Sequence, residues 1–147
     1  MYTHSEVDIE ELDNIVYDTL VTDSELFSKY HIFAPCTINK GLKHILDSIN
    51  EFRAALPKEV RIYKLHSLEY TAGFFVVSDE ILYSFGISKH HRCSEAVEAF
   101  WKGLDEVFDQ KPFLCILHNK NTRAIDFLLK GDGEIIEQDD KTTKICL

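Results

Sequence analysis

The sequence predicts an α+β (mixed α/β) fold in a single domain, with a helical first third (residues 1–57) and a strand-rich core (residues 60–147). Three observations predict it. Apolar residues recur at helical spacing as far as Leu56, the period changes to alternation at Val60, and beyond Ile87 amphipathic helices alternate with short apolar strands. A chain of 147 residues with 45% apolar and 28% charged residues has the size and composition of one folded domain, and these values exclude a disordered chain.

The elements follow in order. Ser5 is the expected cap of a first helix carrying Ile9, Leu12, Val16 and Leu20 on one stripe. A short second helix is expected from Thr22 through Leu26, Phe27 and Tyr30, ending before Pro35. A third carries Leu42, Ile45, Leu46, Ile49, Phe52 and Leu56, with Pro57 as its stop. Val60–Leu65 then alternates as a half-buried strand, Thr71–Val77 is an apolar strand, and Ser78-Asp79-Glu80 makes a turn. In the next strand Ile81, Tyr83, Phe85 and Ile87 share one face, with Ser84 and Gly86 on the other. These three strands form an antiparallel meander. Ser94 caps a helix with Val97, Phe100, Trp101, Leu104, Val107 and Phe108 on its core face. Pro112 precedes a buried strand (Phe113–Leu117), and a helix with Ile125, Leu128 and Leu129 ends at Lys130-Gly131. A hairpin of Glu134–Gln138 and Thr142–Leu147, turning at Asp139-Asp140, closes the chain. The core thus reads β-β-β-α-β-α-β-β.

Composition narrows the function. A net charge of −9 argues against direct binding of nucleic acid, which needs a basic surface. The longest apolar runs, such as Phe74–Val77, are strand-length, so no membrane partner is expected. Met1–Asp8 has no basic stretch followed by an apolar one, so no secretion is expected. The four cysteines (Cys36, Cys93, Cys115, Cys146) show no CxxC pair and read as reduced thiols. Cys115 with His118 supplies two ligand types of the four that a tetrahedral site needs, so no metal is expected.

The order of elements, with two motif segments, resembles the GNAT superfamily of acyl-CoA N-acyltransferases over residues 60–147. The first segment is Ile87-Ser88-Lys89-His90-His91-Arg92-Cys93-Ser94-Glu95-Ala96-Val97, matching a strand end, Arg, and a loop opening a helix. The second is Asn121-Thr122-Arg123-Ala124-Ile125-Asp126-Phe127-Leu128, with Gly131 and Gly133 after it. The resemblance implies acetyl-CoA held by Ile87, Arg92, Cys93, Ser94, Glu95, Ala96, Val97 and Asn121, with Glu80 or Glu69 as a general base.

The departures point the other way. Glu95 and Val97 stand where the family has glycines that let a diphosphate approach the main chain. A carboxylate there opposes phosphate by up to about 4 kcal/mol at contact distance. The family's general acid is a Tyr, matched here by Leu128, which has no proton to give. A narrower resemblance, over Gly73–Tyr83 and Asn121–Leu128, is to the small GNAT-like virion proteins of short-tailed bacteriophages. It implies a non-catalytic structural or assembly protein of a phage particle, without a cofactor. Its setting would be the virion or the host cytoplasm during assembly, and its partners other virion or assembly proteins and further copies of itself. The alternative is an active N-acetyltransferase with an atypical loop. Tyr2, Tyr17, Tyr30 and Phe33 are the candidate interface aromatics.

Overall fold

A computed structural model describes residues 1–20, 50 and 53–147. Seven strands form one sheet in the order β1-β2-β3-β4-β5-β7-β6. They are β1 (Thr3–Val7), β2 (Arg61–Ser67), β3 (Tyr70–Ser78), β4 (Ile81–Ile87), β5 (Leu114–His118), β6 (Glu134–Gln138) and β7 (Thr142–Cys146). All neighbours are antiparallel except β4 and β5. Helix α1 (Leu12–Leu20) packs on β3 and β4, whereas α2 (Ser94–Val107) and α3 (Thr122–Lys130) bound the main core. Among the described residues no helix is long and apolar enough to cross a membrane.

The mixed α+β class is as expected, and the first element is not. Thr3–Val7 is a strand paired with Ile62–His66, where a helix capped by Ser5 was expected. The helical turn begins only at Asp8, whose N–H donates to the Glu11 carboxylate at 3.3 Å. Ile9 therefore falls outside the buried stripe of α1, which is Leu12, Ile15, Val16 and Thr19. The expected helix over Thr22–Tyr30 lies outside the described residues, as does most of the one over Leu42–Leu56; residues 50 and 53–55 are helical, and Leu56 packs against the α1 cluster before Pro57.

Strand β3 explains why the sheet carries two cores. Alternate side chains leave opposite faces, and on β3 both sets are buried. Phe75 and Val77 enter the larger core with Leu65, Leu82, Phe100 and Leu104, and Phe74 and Val76 meet Leu12, Ile15 and Val16 of α1. Gly73 lets β3 and β4 approach closely: a Cβ there would lie 2.5 Å from the Gly86 carbonyl oxygen. Expected alternation fails in β4. The register steps from Val76↔Ser84 to Val77↔Leu82 across Tyr83, so Leu82 is fully buried in the larger core and Tyr83 packs on the α1 side.

The remaining elements match expectation closely, with local changes. Cys93, not Ser94, is the N-cap of α2. Trp101 is half-buried and stacks on Phe127 at 5.2 Å, over Gly131, where an added Cβ would meet the indole. The C-terminal strand β7 lies inside the sheet between β5 and β6, so the open edge on that side belongs to β6.

Candidate active site

Strands β4 and β5 run parallel but share only two register pairs, Ile81↔Leu114 and Leu82↔Cys115. The ladder stops where the register of β4 steps across Tyr83, since a bulge bends its strand and raises its local twist. Beyond that point the strands part. A cleft of about 400 Å³ opens between residues 83–87 of β4, Leu117 of β5, the start of α2 and one face of α3. Its walls are apolar at Phe85, Ile87, Val97, Leu117 and Phe127, and charged at Arg92, Arg123, Asp126 and Lys130.

Several contacts hold the loop between β4 and α2. The buried Ser88 donates its N–H to the Ala72 carbonyl at 2.7 Å, and the Arg92 Nε donates to the Ile87 carbonyl at 3.1 Å. On the outer side the Tyr2 hydroxyl lies 3.1 Å from His91 Nδ1, and the Cys93 thiol donates to that hydroxyl at 3.6 Å. The backbone N–H of Ala96, followed by the Tyr2 hydroxyl, holds the exposed Cys93 thiol below its ordinary pKa, as a helix N-terminus favours a thiolate. Burial pushes Cys115 up to about 12. At the other rim Asn121 holds the N-cap position of α3, without a side-chain capping bond, and lines the cleft. Beside it, Asn119 donates to the Asp139 carbonyl and accepts from Thr143, tying the start of α3 to the closing hairpin.

Of the residues expected to hold a donor, the structure brings Ile87, Arg92, Val97 and Asn121 to the cleft. Cys93, Ser94 and Glu95 are exposed at the outer start of α2, Ala96 is buried in the main core, and none of the four lines the cleft. The carboxylate expected to repel phosphate is therefore not part of the cleft wall. Glu80 is exposed in the β3–β4 turn, where its carbonyl accepts the Leu114 N–H, and Glu69 is exposed in the β2–β3 turn. Leu128 is fully buried. Tyr83, Ser84, Arg123, Asp126 and Lys130 were missed by motif reasoning. The signal for the last three was their i, i+3, i+7 spacing from Arg123, which places them on one helix face.

No protein-family model and no curated protein sequence matches the chain. Solved structures do. An acetyltransferase from Thermus thermophilus superimposes with a TM-score of 0.74 at 9% identity, covering 100% of this chain and 96% of that one. An acetyltransferase of the GNAT family from Streptococcus pneumoniae gives 0.61 at 11% identity, covering 100% and 98%. The PaiA N-acetyltransferase from Thermoplasma acidophilum, solved with coenzyme A, gives 0.60 at 12% identity, covering 99% and 98%. The chain has the GNAT, or acyl-CoA N-acyltransferase, fold. The expectation of a protein without enzyme activity is corrected by these neighbours: several structures of this fold, at 9–12% identity, are named acetyltransferases. Nothing in them links the chain to a bacteriophage particle.

Proposed function

We propose that the chain is an acyl-CoA-dependent N-acyltransferase that binds its donor between β4 and β5. The observation that carries this is the parting of those strands after Leu82, which leaves an apolar cleft with a cationic mouth in an otherwise acidic protein. The residues present fit a thioester of coenzyme A. Phe85, Ile87, Val97, Leu117 and Phe127 suit the pantetheine arm, Arg92 suits phosphate, and Asn121 offers an amide to the arm's own amides. Val97 at a glycine position narrows the approach to the backbone, so side-chain cations carry more of the phosphate binding than a glycine loop would require.

In the reaction, the acceptor's amine nitrogen bonds to the thioester carbonyl carbon. The C–S bond then breaks, the nitrogen gives up a proton to water, and the sulfur takes one. Tyr83 follows the last β4–β5 pair and borders the cleft, but its ring packs on the α1 side of the sheet, so the proton taken by sulfur comes from water. Leu128, at the family's acid position, has no proton to give and is sealed in the core. The test is titration with coenzyme A together with thiol release from acetyl-CoA over a broad amine panel. Expected are micromolar binding of coenzyme A and thiol release that depends on the amine added. No binding at millimolar coenzyme A and no thiol release would end the proposal.

A further inference from the structure

Helix α3 ends at Lys130, and the chain passes through Gly133 into β6, the last strand of the sheet on that side. Among the described residues β6 pairs only with β7, so alternate main-chain N–H and C=O groups along its other side meet no strand. All five residues of β6 are exposed, Ile135 by 42% and Ile136 by 52%. The register steps from Ile135↔Ile145 to Glu137↔Lys144, which leaves Ile136 as an extra residue. Because Ile145 enters the main core, Ile135 lies on that face, whereas Glu134 and Glu137 stand opposite Cys146 and Lys144 on the other. Charge around the edge is mostly of one sign. Asp132, Glu134, Glu137 and Asp140 are exposed carboxylates, and Asp139 accepts the N–H groups of Lys141 and Thr142 at 2.8 Å within the turn. The cations within the hairpin are Lys141 and Lys144, the latter 3.9 Å from Glu137.

Three features of this edge select its occupant: open main-chain groups, two exposed isoleucines and a strip of carboxylates. A second copy of the chain would bring two acidic strips together, which like charges oppose. A small polycation would meet the carboxylates and leave the main-chain groups and both isoleucines unmatched. A polypeptide strand carrying lysine or arginine among aliphatic residues answers all three. We infer that the outer edge of β6 is a docking site for a basic, extended segment of a partner protein, which adds to the seven-stranded sheet as a further strand. The bulge at Ile136 and the carboxylates keep like edges apart, and the carboxylates favour a strand of opposite charge. The inference does not depend on the proposed donor site, which opens between β4 and β5.

The full chain is titrated with three synthetic peptides at low salt. One alternates lysine and valine, one is the same peptide with its backbone amides N-methylated, and one alternates glutamate and valine. The lysine peptide is expected to bind at least about tenfold more tightly than either of the others, and to slow hydrogen exchange of the β6 amides. The double variant Glu134→Gln/Glu137→Gln, at two exposed positions, is expected to melt with the parent and to bind the lysine peptide about fivefold less tightly. Equal binding of the N-methylated peptide would mean charge attraction without strand pairing, and overturns the inference. So does undiminished binding by the double variant, or protection that appears away from β6. Self-association of the parent that protects the β6 amides without peptide would assign the edge to a second copy and overturn it as well. No binding of the lysine peptide ends it.

Discussion

Substituting Gly73→Ala tests whether the close approach of β3 and β4 positions the cleft. The new Cβ would stand 2.5 Å from the Gly86 carbonyl oxygen and 3.3 Å from the Ile87 Cα, both backbone atoms that no rotamer change can move. The first distance is about 0.9 Å short of ordinary contact, so the strands must open by a similar amount. Overpacking of this kind costs about 1–3 kcal/mol, and the lower entropy of the unfolded alanine chain offsets about 0.4–1 kcal/mol. The net loss is about 1–2 kcal/mol, or a fall in Tm of about 3–8 °C for a chain of this length. The opening occurs beside the Ala72–Ser88 hydrogen bond and at Ile87, whose carbonyl holds Arg92. Coenzyme A affinity should therefore fall about tenfold as well, given how steeply function depends on ångström-scale placement. Thermal melts and calorimetric titration read the two effects separately. A variant that melts with the parent would refute the packing argument, and one that melts lower yet binds normally would refute the coupling to the cleft.

Two further outcomes follow from the same geometry. Phe100 is fully buried and meets Phe75, Phe85, Trp101 and Phe127, so Phe100→Ala should lower stability by about 3–5 kcal/mol in denaturant titration; a loss under about 1 kcal/mol would mean that the aromatic cluster is loosely packed. In timed alkylation of the native protein, read peptide by peptide, Cys93 should react readily and Cys115 only on unfolding. Because its pKa is lowered, Cys93 should reach half its maximal rate below the pH of an ordinary thiol, and Tyr2→Phe should move that midpoint upward. A profile matching free cysteine would count against the arrangement at the start of α2.

Elements whose apolar spacing is local were legible in the sequence. The stripe of α2 at Phe100 and Leu104, the apolar run of β3 and the closing hairpin all declare themselves by period alone. Strand β1 does not, because Thr3–Val7 has no apolar alternation and is a strand only through its register with β2. The same holds for the register step at Tyr83, which is set by β3 and turns Leu82, not Tyr83, into the larger core. Motif spacing pointed to Ile87, Arg92, Val97 and Asn121, which line the cleft. It gave no direction for Glu95, which the orientation of α2 places outside the cleft wall. It also passed over the α3 cations, whose relevance depends on which helix face Trp101 and Phe127 turn toward β4.

The bond between Tyr2 and His91 joins residues 89 apart in the chain, and β1 meets β2 across a separation of 63 at Thr3 and His66. Contacts of such long sequence separation form slowly, since a large loop must close before they can help. During synthesis the first strand emerges well before its partner. The Tyr2 contacts to His91 and Cys93, which add to the bracing of the loop before α2, form only once that strand has docked. Assembly of the cleft is therefore expected to be a late event, following the β3–β4 hairpin and the helices packed on it. Substitutions in β1 should then act chiefly on the rate at which binding competence appears, and less on the rate at which the core collapses.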